Sequence, residues 1–347
     1  MDEQRIQAYL NLIHQLLTCS TGISEIPTSA NPLSQDYLQF LIKVLLAIAD
    51  SNGDPKVVYP LLQANLDKLD HNFIHTLELI TAKLSEAEPE TAEGIARVIG
   101  NFSNLIKNFT LGNKANNIEI AMAGYEQLLT VFTRESNREI WAAIQTNLGN
   151  AYYQRIRHNR AENLELAIEA YQLALSVYTQ EDFPIEWAIT QNNLGTAYRD
   201  RIRHDRAENL ELAIATYQLA LSVRTKSDFP EDWAKTQNNL GNAYSQRIRG
   251  DKTDNLEKAI AAYQLALSVR TPEANPINCL TTSRSLGNLH FTQGNWQKAI
   301  DAYEQAKTAV ELMRSWPMND QRRQEIKAEA IEVYQKLAQA YINIGPI

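Results

Sequence analysis

The chain has 347 residues, of which 44% are hydrophobic and 21% charged, a balance that excludes a disordered or collagen-like polypeptide. Its formal net charge of −8 sits in one place: residues 1–94 carry 5 Lys/Arg against 13 Asp/Glu, and the rest carries 28 against 28. A neutral remainder lacks the net basic face that counterion-release binding of nucleic acid requires.

The N-terminus lacks the basic start and apolar run of a signal peptide. The most apolar stretch, 37–49, is interrupted by Gln39 and Lys43 and is too short to span a bilayer. Cys19 and Cys279 are too isolated for a disulfide framework, and Cys279 falls one period after Trp233, where it fills a smaller version of the same packing site. A soluble cytoplasmic protein without membrane attachment is expected. Residues 1–94 show three or four helical patterns of no common period, broken near 27–32, 53–55 and 86–90. They are expected to form a helical cap on the rest of the chain.

From residue 95 onward the chain repeats. Trp141, Trp187 and Trp233 lie 46 residues apart, and Leu148-Gly149, Leu194-Gly195, Leu240-Gly241 and Leu286-Gly287 keep the same interval, as do Asn117, Asn163, Asn209 and Asn255. Residues 141–186 and 187–232 agree at 32 of 46 positions. A period of this length signals a stacked array in which each unit buries its apolar face against its neighbours.

Within 233–278, Trp233, Leu240, Ala243, Tyr244 and Ile248 recur at helical spacing, then Leu256, Ala259, Ile260, Tyr263, Ala266 and Leu267 do so again. Two amphipathic helices joined by a polar loop make an αα-hairpin. Asp254 with Glu257 reads as a capping box for the second helix. Pro184 and Pro230 suit the first position of a helix, where the missing N–H costs nothing. Gly241 and Ala266 are small enough for close helix approach. Upstream, Phe102, Ser103 and Ile106 keep register as a worn first helix, with Ile118, Ala121 and Tyr125 as its partner. Downstream, Leu337, Ala338 and Tyr341 look like one more first helix. The expected layout is a cap (1–94), five hairpins (95–318) and a terminal helix or truncated repeat (322–347). Leu337, Ala340 and Tyr341 are expected to leave an apolar strip, covered by a second copy of the chain or by a following domain.

Leu-Gly-x-x-Tyr followed by Ala-x-x-x-Tyr-x-x-Ala resembles the tetratricopeptide repeat, and 286–306 resembles its standard form, with His290 in place of tyrosine. The 46-residue units depart from it in an earlier tryptophan, a longer loop and a longer linker. The resemblance implies an all-α, right-handed superhelical solenoid of αα-hairpins acting as a protein-binding scaffold. The Arg-Ile-Arg loops and N-terminal helical segment also resemble the repeat region of cyanobacterial proteins that end in a caspase-like CHAT domain. That likeness implies a CHAT-type protease as partner, although no such domain is present in this sequence.

In related repeats the first helices line a concave groove. Here that face carries Asn147, Asn150, Asn192, Asn193, Asn238, Asn239, Asn242, Arg284 and Asn288. A carboxamide both donates and accepts, so an asparagine column suits an extended peptide or a partner's helix. The alternative role is to bond neighbouring helices and order the superhelix. A second column, Arg155, Arg157, Arg201, Arg203, Arg247 and Arg249, places cations on one edge, where a nucleic acid or other polyanion is the alternative partner. Nearby Glu162, Glu165, Glu208, Glu211, Asp251 and Asp254 favour local arginine–carboxylate pairing instead. His71 and His75 share a helix face without a third ligand, a poor metal site. Neither a phosphate loop nor a catalytic pairing is legible, so no enzyme, cofactor or metal is expected.

Overall fold

The computed structural model describes residues 35–345, except 83, 85–87, 315 and 317–319. Cys19 and the breaks expected at 27–32 and 86–87 lie outside the described residues. The described residues form fourteen α-helices and one short 3-10 turn, and divide into two compact units, 1–178 and 179–347.

In the first unit, α1 (Gln35–Asp50), α2 (Pro55–Gln63), the turn Leu66–Lys68 and α3 (His71–Ala82) precede two hairpins: α4 (Pro89–Asn108) with α5 (Lys114–Val131), and α6 (Arg138–Gln154) with α7 (Arg160–Leu175). The turn at 51–54 passes through left-handed backbone at Asn52 and Gly53, and Asp54 then caps α2 by accepting from the Lys56 N–H. α1 packs on α4 and α3 on α5. Their shared core runs through tilted ring contacts, Phe40 with Phe73 and Phe73 with Phe102, with Leu41, Leu45 and Leu77 fully buried. α4 begins at Pro89, ahead of residue 95.

In the second unit, three hairpins follow one another: α8 (Pro184–Asp200) with α9 (Arg206–Leu221), α10 (Pro230–Gln246) with α11 (Lys252–Leu267), and α12 (Pro276–Thr292) with α13 (Trp296–Met313). The long helix α14 (Asp320–Ile344) packs on α13. Prolines 184, 230 and 276 each open a helix, as their chemistry favours. α11 starts one turn earlier than the Asp254–Glu257 box implies. Asp251, in extended backbone, is the true cap and accepts from the Asp254 N–H at 3.0 Å.

Four hairpins, three of the long period and the shorter one that follows, are closed in the same way. The tyrosine of the second helix lies against the glycine of the first: Tyr171 on Gly149, Tyr217 on Gly195, Tyr263 on Gly241 and Tyr303 on Gly287. Its hydroxyl then donates to the residue after that glycine, to Asn150 (2.8 Å), Thr196 (3.1 Å), Asn242 (2.7 Å) and Asn288 (2.7 Å). In the first hairpin Tyr125 donates to Asn104 in the same way.

The loops are equally uniform. The buried Asn163, Asn209 and Asn255 each donate to the carbonyl of the arginine that ends Arg-Ile-Arg, namely Arg157, Arg203 and Arg249. The next residue turns left-handed: His158, His204 and Gly250 have φ of 65°, 68° and 80°. This geometry overturns the expectation that Ile248 is a core residue. α10 ends at Gln246, and Ile248, like Ile156 and Ile202, is more than 60% exposed on the loop.

The terminal helix also corrects an expectation. Leu337 and Ala340 are buried with Ile326, Ala330 and Val333 in the core of the second unit, because α14 is long enough to lay this whole stripe against its neighbours. The open apolar residues are Ile331, Tyr341, Ile342 and Ile344. Counted from Leu286 and Leu337, the exposed Ile331, Ala338 and Tyr341 correspond to Leu280, Gly287 and His290, all of which are buried on α12. On α14 this face is open at Ala338 and Ile342, while the Tyr341 hydroxyl reaches back to Glu304 of α13 at 3.2 Å.

Candidate partner-binding surface

The asparagines expected to line a groove fall into positions with different surroundings. Asn150, Asn242 and Asn288 accept the tyrosine hydroxyls, so one carboxamide oxygen of each helps to close its own hairpin. Asn192 and Asn238 are buried. Asn192 Oδ1 accepts from Asn239 at 3.1 Å, and Asn192 donates in turn to Asn193 at 3.2 Å, which ties α8 to α10. The Oδ1 of Asn238 is enclosed without a hydrogen-bond partner. Asn147, Asn193 and Asn239 remain half-exposed at equivalent positions of α6, α8 and α10. At the far end, Arg284 pairs with Glu332 at 3.2 Å and Asn288 Nδ2 donates to it at 3.3 Å, so α14 itself occupies that part of the face.

On the arginine edge, Arg155, Arg157, Arg247 and Arg249 are engaged by partners in the preceding hairpin, and Arg247 also donates to Asn255 of its own hairpin at 3.2 Å. Arg155 grips Glu119 with two bonds of 2.8 and 2.7 Å, and Arg247 grips Glu211 identically. Such forked pairing is the strongest arginine–carboxylate geometry. It holds the Glu211 carboxyl below its ordinary range and raises both guanidinium groups. Arg157 donates to Asn116, Arg249 lies 3.8 Å from Asp205, and Arg201 and Arg203 also have partners. Arg160 and Arg206 each donate to the last-turn carbonyls of Tyr153 and Arg199, a helix C-terminal role that has no signature in the sequence. Trp187 is buried, whereas Trp141 and Trp233 lie half-buried under the cations of Arg134 and Lys226. Cys279 is fully buried, and burial pushes its thiol up.

One group not singled out by sequence is Lys107. It is only 6% exposed, and its ammonium stands 3.4 Å from Asn147 Oδ1 and 5.5 Å from the centre of the Tyr125 ring. Burial and the nearby Lys114 push it down to about 8. A groove of about 320 Å³ opens beside it between α4 and α6, lined by Arg97, Asn101, Asn104, Tyr125, Phe132 and Asn147. The sequence does hold a signal. Five residues after Phe102 and each repeating leucine, the copies carry five different side chains: Lys107, Tyr153, Arg199, Ser245 and Phe291.

Among the described residues no group of three or more His, Cys, Asp or Glu is placed to hold a metal, and no helix is long and apolar enough to cross a membrane. His75 lies 3.7 Å from Glu78.

Comparison with known proteins agrees with the geometry. Residues 141–184, 187–231 and 252–311 match models of the tetratricopeptide repeat. No protein of curated function matches the sequence. Among solved structures, a signal transduction ATPase with numerous domains from Pyrococcus horikoshii, which has a tetratricopeptide repeat sensor, is similar at 14% identity with a TM-score of 0.52. The likeness covers 99% of this chain and 44% of that one, so this chain spans less than half of that protein. MamA is similar at 18% identity and a TM-score of 0.40, over 58% of this chain and 92% of that one. By its repeats and its fold, the chain is a tetratricopeptide-type helical solenoid.

Proposed function

We propose that the protein is an interaction scaffold that holds an extended peptide, or a partner's helix, along its first helices. The observation that carries this reading is the recurrence of half-exposed asparagines at one position, Asn147 in the first unit and Asn193 and Asn239 in the second. Asparagine is a mediocre helix former, so propensity gives no reason for the repetition. The test is a pull-down from native lysate with wild type and with Asn147→Ala/Asn193→Ala/Asn239→Ala. Partners lost from the variant support the reading, and identical partners overturn it.

A CHAT-type protease is the partner implied by the resemblance of the Arg-Ile-Arg loops, and its recovery by the wild type alone is the specific outcome expected. Polyanion or nucleic-acid binding along Arg157, Arg203 and Arg249 has less behind it, because the edge is so extensively paired. It requires affinity that falls steeply with salt. The exposed residues of α14 support self-association. Gln335, Ala338, Gln339, Tyr341 and Ile342 form an uncharged strip in which a small residue and an aromatic lie one turn apart, so that each answers the other across a two-fold axis.

A further inference from the structure

We infer that the groove between α4 and α6 takes an acidic peptide, one carboxylate meeting Lys107 and a second meeting Arg97. This rests on the peptide-binding reading and names the class of peptide for the first unit.

The observation behind it is a charge without an anion. Lys107 is enclosed, yet its polar surroundings are one long contact to Asn147 Oδ1 and the face of the Tyr125 ring. Enclosing an ammonium without a carboxylate is costly. The groups facing it are Lys114 and Tyr125 from α5 and Asn147 from α6. Lys114 repels it, and burial raises the Tyr125 hydroxyl, which therefore stays neutral. Asn147 and Tyr125, which the Lys107 ammonium contacts, line the groove, and the flexible lysine stem lets that ammonium turn toward a carboxylate entering there. It would supply the missing counter-charge.

Arg97 stands at the other end of the same groove. Its guanidinium lies 5.4 Å over the Phe132 ring, with only a loose 3.8 Å approach to the half-exposed Glu93. Ten residues of helix separate Arg97 from Lys107, roughly 15 Å. An extended chain covers that distance in four to five residues at about 3.3 Å each. Asn101 and Asn104, between the two cations, offer carboxamides to the peptide backbone. The sequence preference is thus for acidic side chains four or five positions apart.

The test uses the full chain and a fluorescein-labelled Gly/Ser peptide carrying two glutamates four positions apart, with the glutamine version as control. Anisotropy at low salt should show the glutamate peptide binding about tenfold or more tightly than the control, with Lys107→Met and Arg97→Met each losing about tenfold. In the wild type the affinity should fall as pH rises through about 8, where Lys107 gives up its proton. Lys107→Met removes an unpaired buried charge, so it should melt no lower than wild type, and the wild-type pH profile needs no variant at all. Equal binding of the two peptides, or undiminished binding by Lys107→Met, overturns the inference. That failure would leave the lysate experiment and the asparagines of the second unit untouched.

Discussion

The ring of Tyr263 fills the space that a side chain at Gly241 would need: a Cβ there would stand 2.8 Å from two ring carbons. The same ring is held at its other end by the hydroxyl's 2.7 Å bond to Asn242. Gly241→Ala should therefore cost about 1–3 kcal/mol through overpacking. Tyr263→Phe, which keeps the ring and loses the bond, should cost only about 1 kcal/mol. Urea denaturation followed by helical circular dichroism checks both, and an alanine variant as stable as wild type would contradict the packing.

The pairing of Arg247 with Glu211 links consecutive hairpins and should show a coupling energy. Both side chains are partly solvated, so about 0.5–1 kcal/mol is expected in a double-mutant cycle with Arg247→Met and Glu211→Gln. The Glu211 carboxyl is held below its ordinary value of 4.5, chiefly by the hydrogen bond from Arg247. Its contribution is accordingly complete above about pH 4.5 and fades as pH falls through the lowered value. Cycles measured at neutral pH and in acid should differ in that direction.

Lys107 predicts the opposite trend. Its folded-state value of about 8 lies below the 10.5 of a solvated lysine, so between those values the unfolded chain binds a proton that the folded chain has released. Stability should rise with pH across that window. Lys107→Met should abolish the rise and gain on the order of 1–3 kcal/mol at neutral pH. Chemical denaturation at a series of pH values reads both effects.

On α14, two faces should respond differently. Leu337→Ala opens a cavity in the core of the second unit and should cost about 2–5 kcal/mol. Ala338→Asp with Ile342→Asp lies on the exposed face and should leave stability nearly unchanged while converting any dimer to monomer in sedimentation equilibrium. A dimer that persists uses another surface.

The period makes the hairpins legible, because a glycine, two tyrosines and an asparagine at a fixed interval leave few arrangements besides stacked helix pairs. The Leu-Gly-Asn run even holds the closing contact in plain view, although nothing in it says that Asn242 faces Tyr263 rather than a ligand. Ile248 misleads because apolar spacing continues across a helix end that only Asn255 reveals. The bond from Asn255 to the Arg249 carbonyl, six residues back, closes the loop there, and the apolar spacing alone does not show it. The pairing of Arg247 with Glu211 is hidden for a related reason: Asp251 and Asp254 are nearer in sequence, but stacking brings the previous hairpin nearer in space. Lys107 escapes notice since an isolated lysine in a worn repeat reads as surface until its burial is seen.

The uniform closure of the hairpins has an evolutionary corollary. In the 46-residue repeats the closing residues recur at the period, and so do the sequence positions of the glutamates gripped by the following arginine, Glu119 and Glu211, with Glu165 midway between them in sequence. If residues 187–232 were excised, Arg247 would follow Glu165 at the interval that now separates it from Glu211, and Trp233 would inherit the register of Trp187. Unequal recombination between such copies shortens or lengthens the protein by whole increments without breaking a single joint. The near-identity of 141–186 and 187–232 is the trace expected of a recent duplication of that kind.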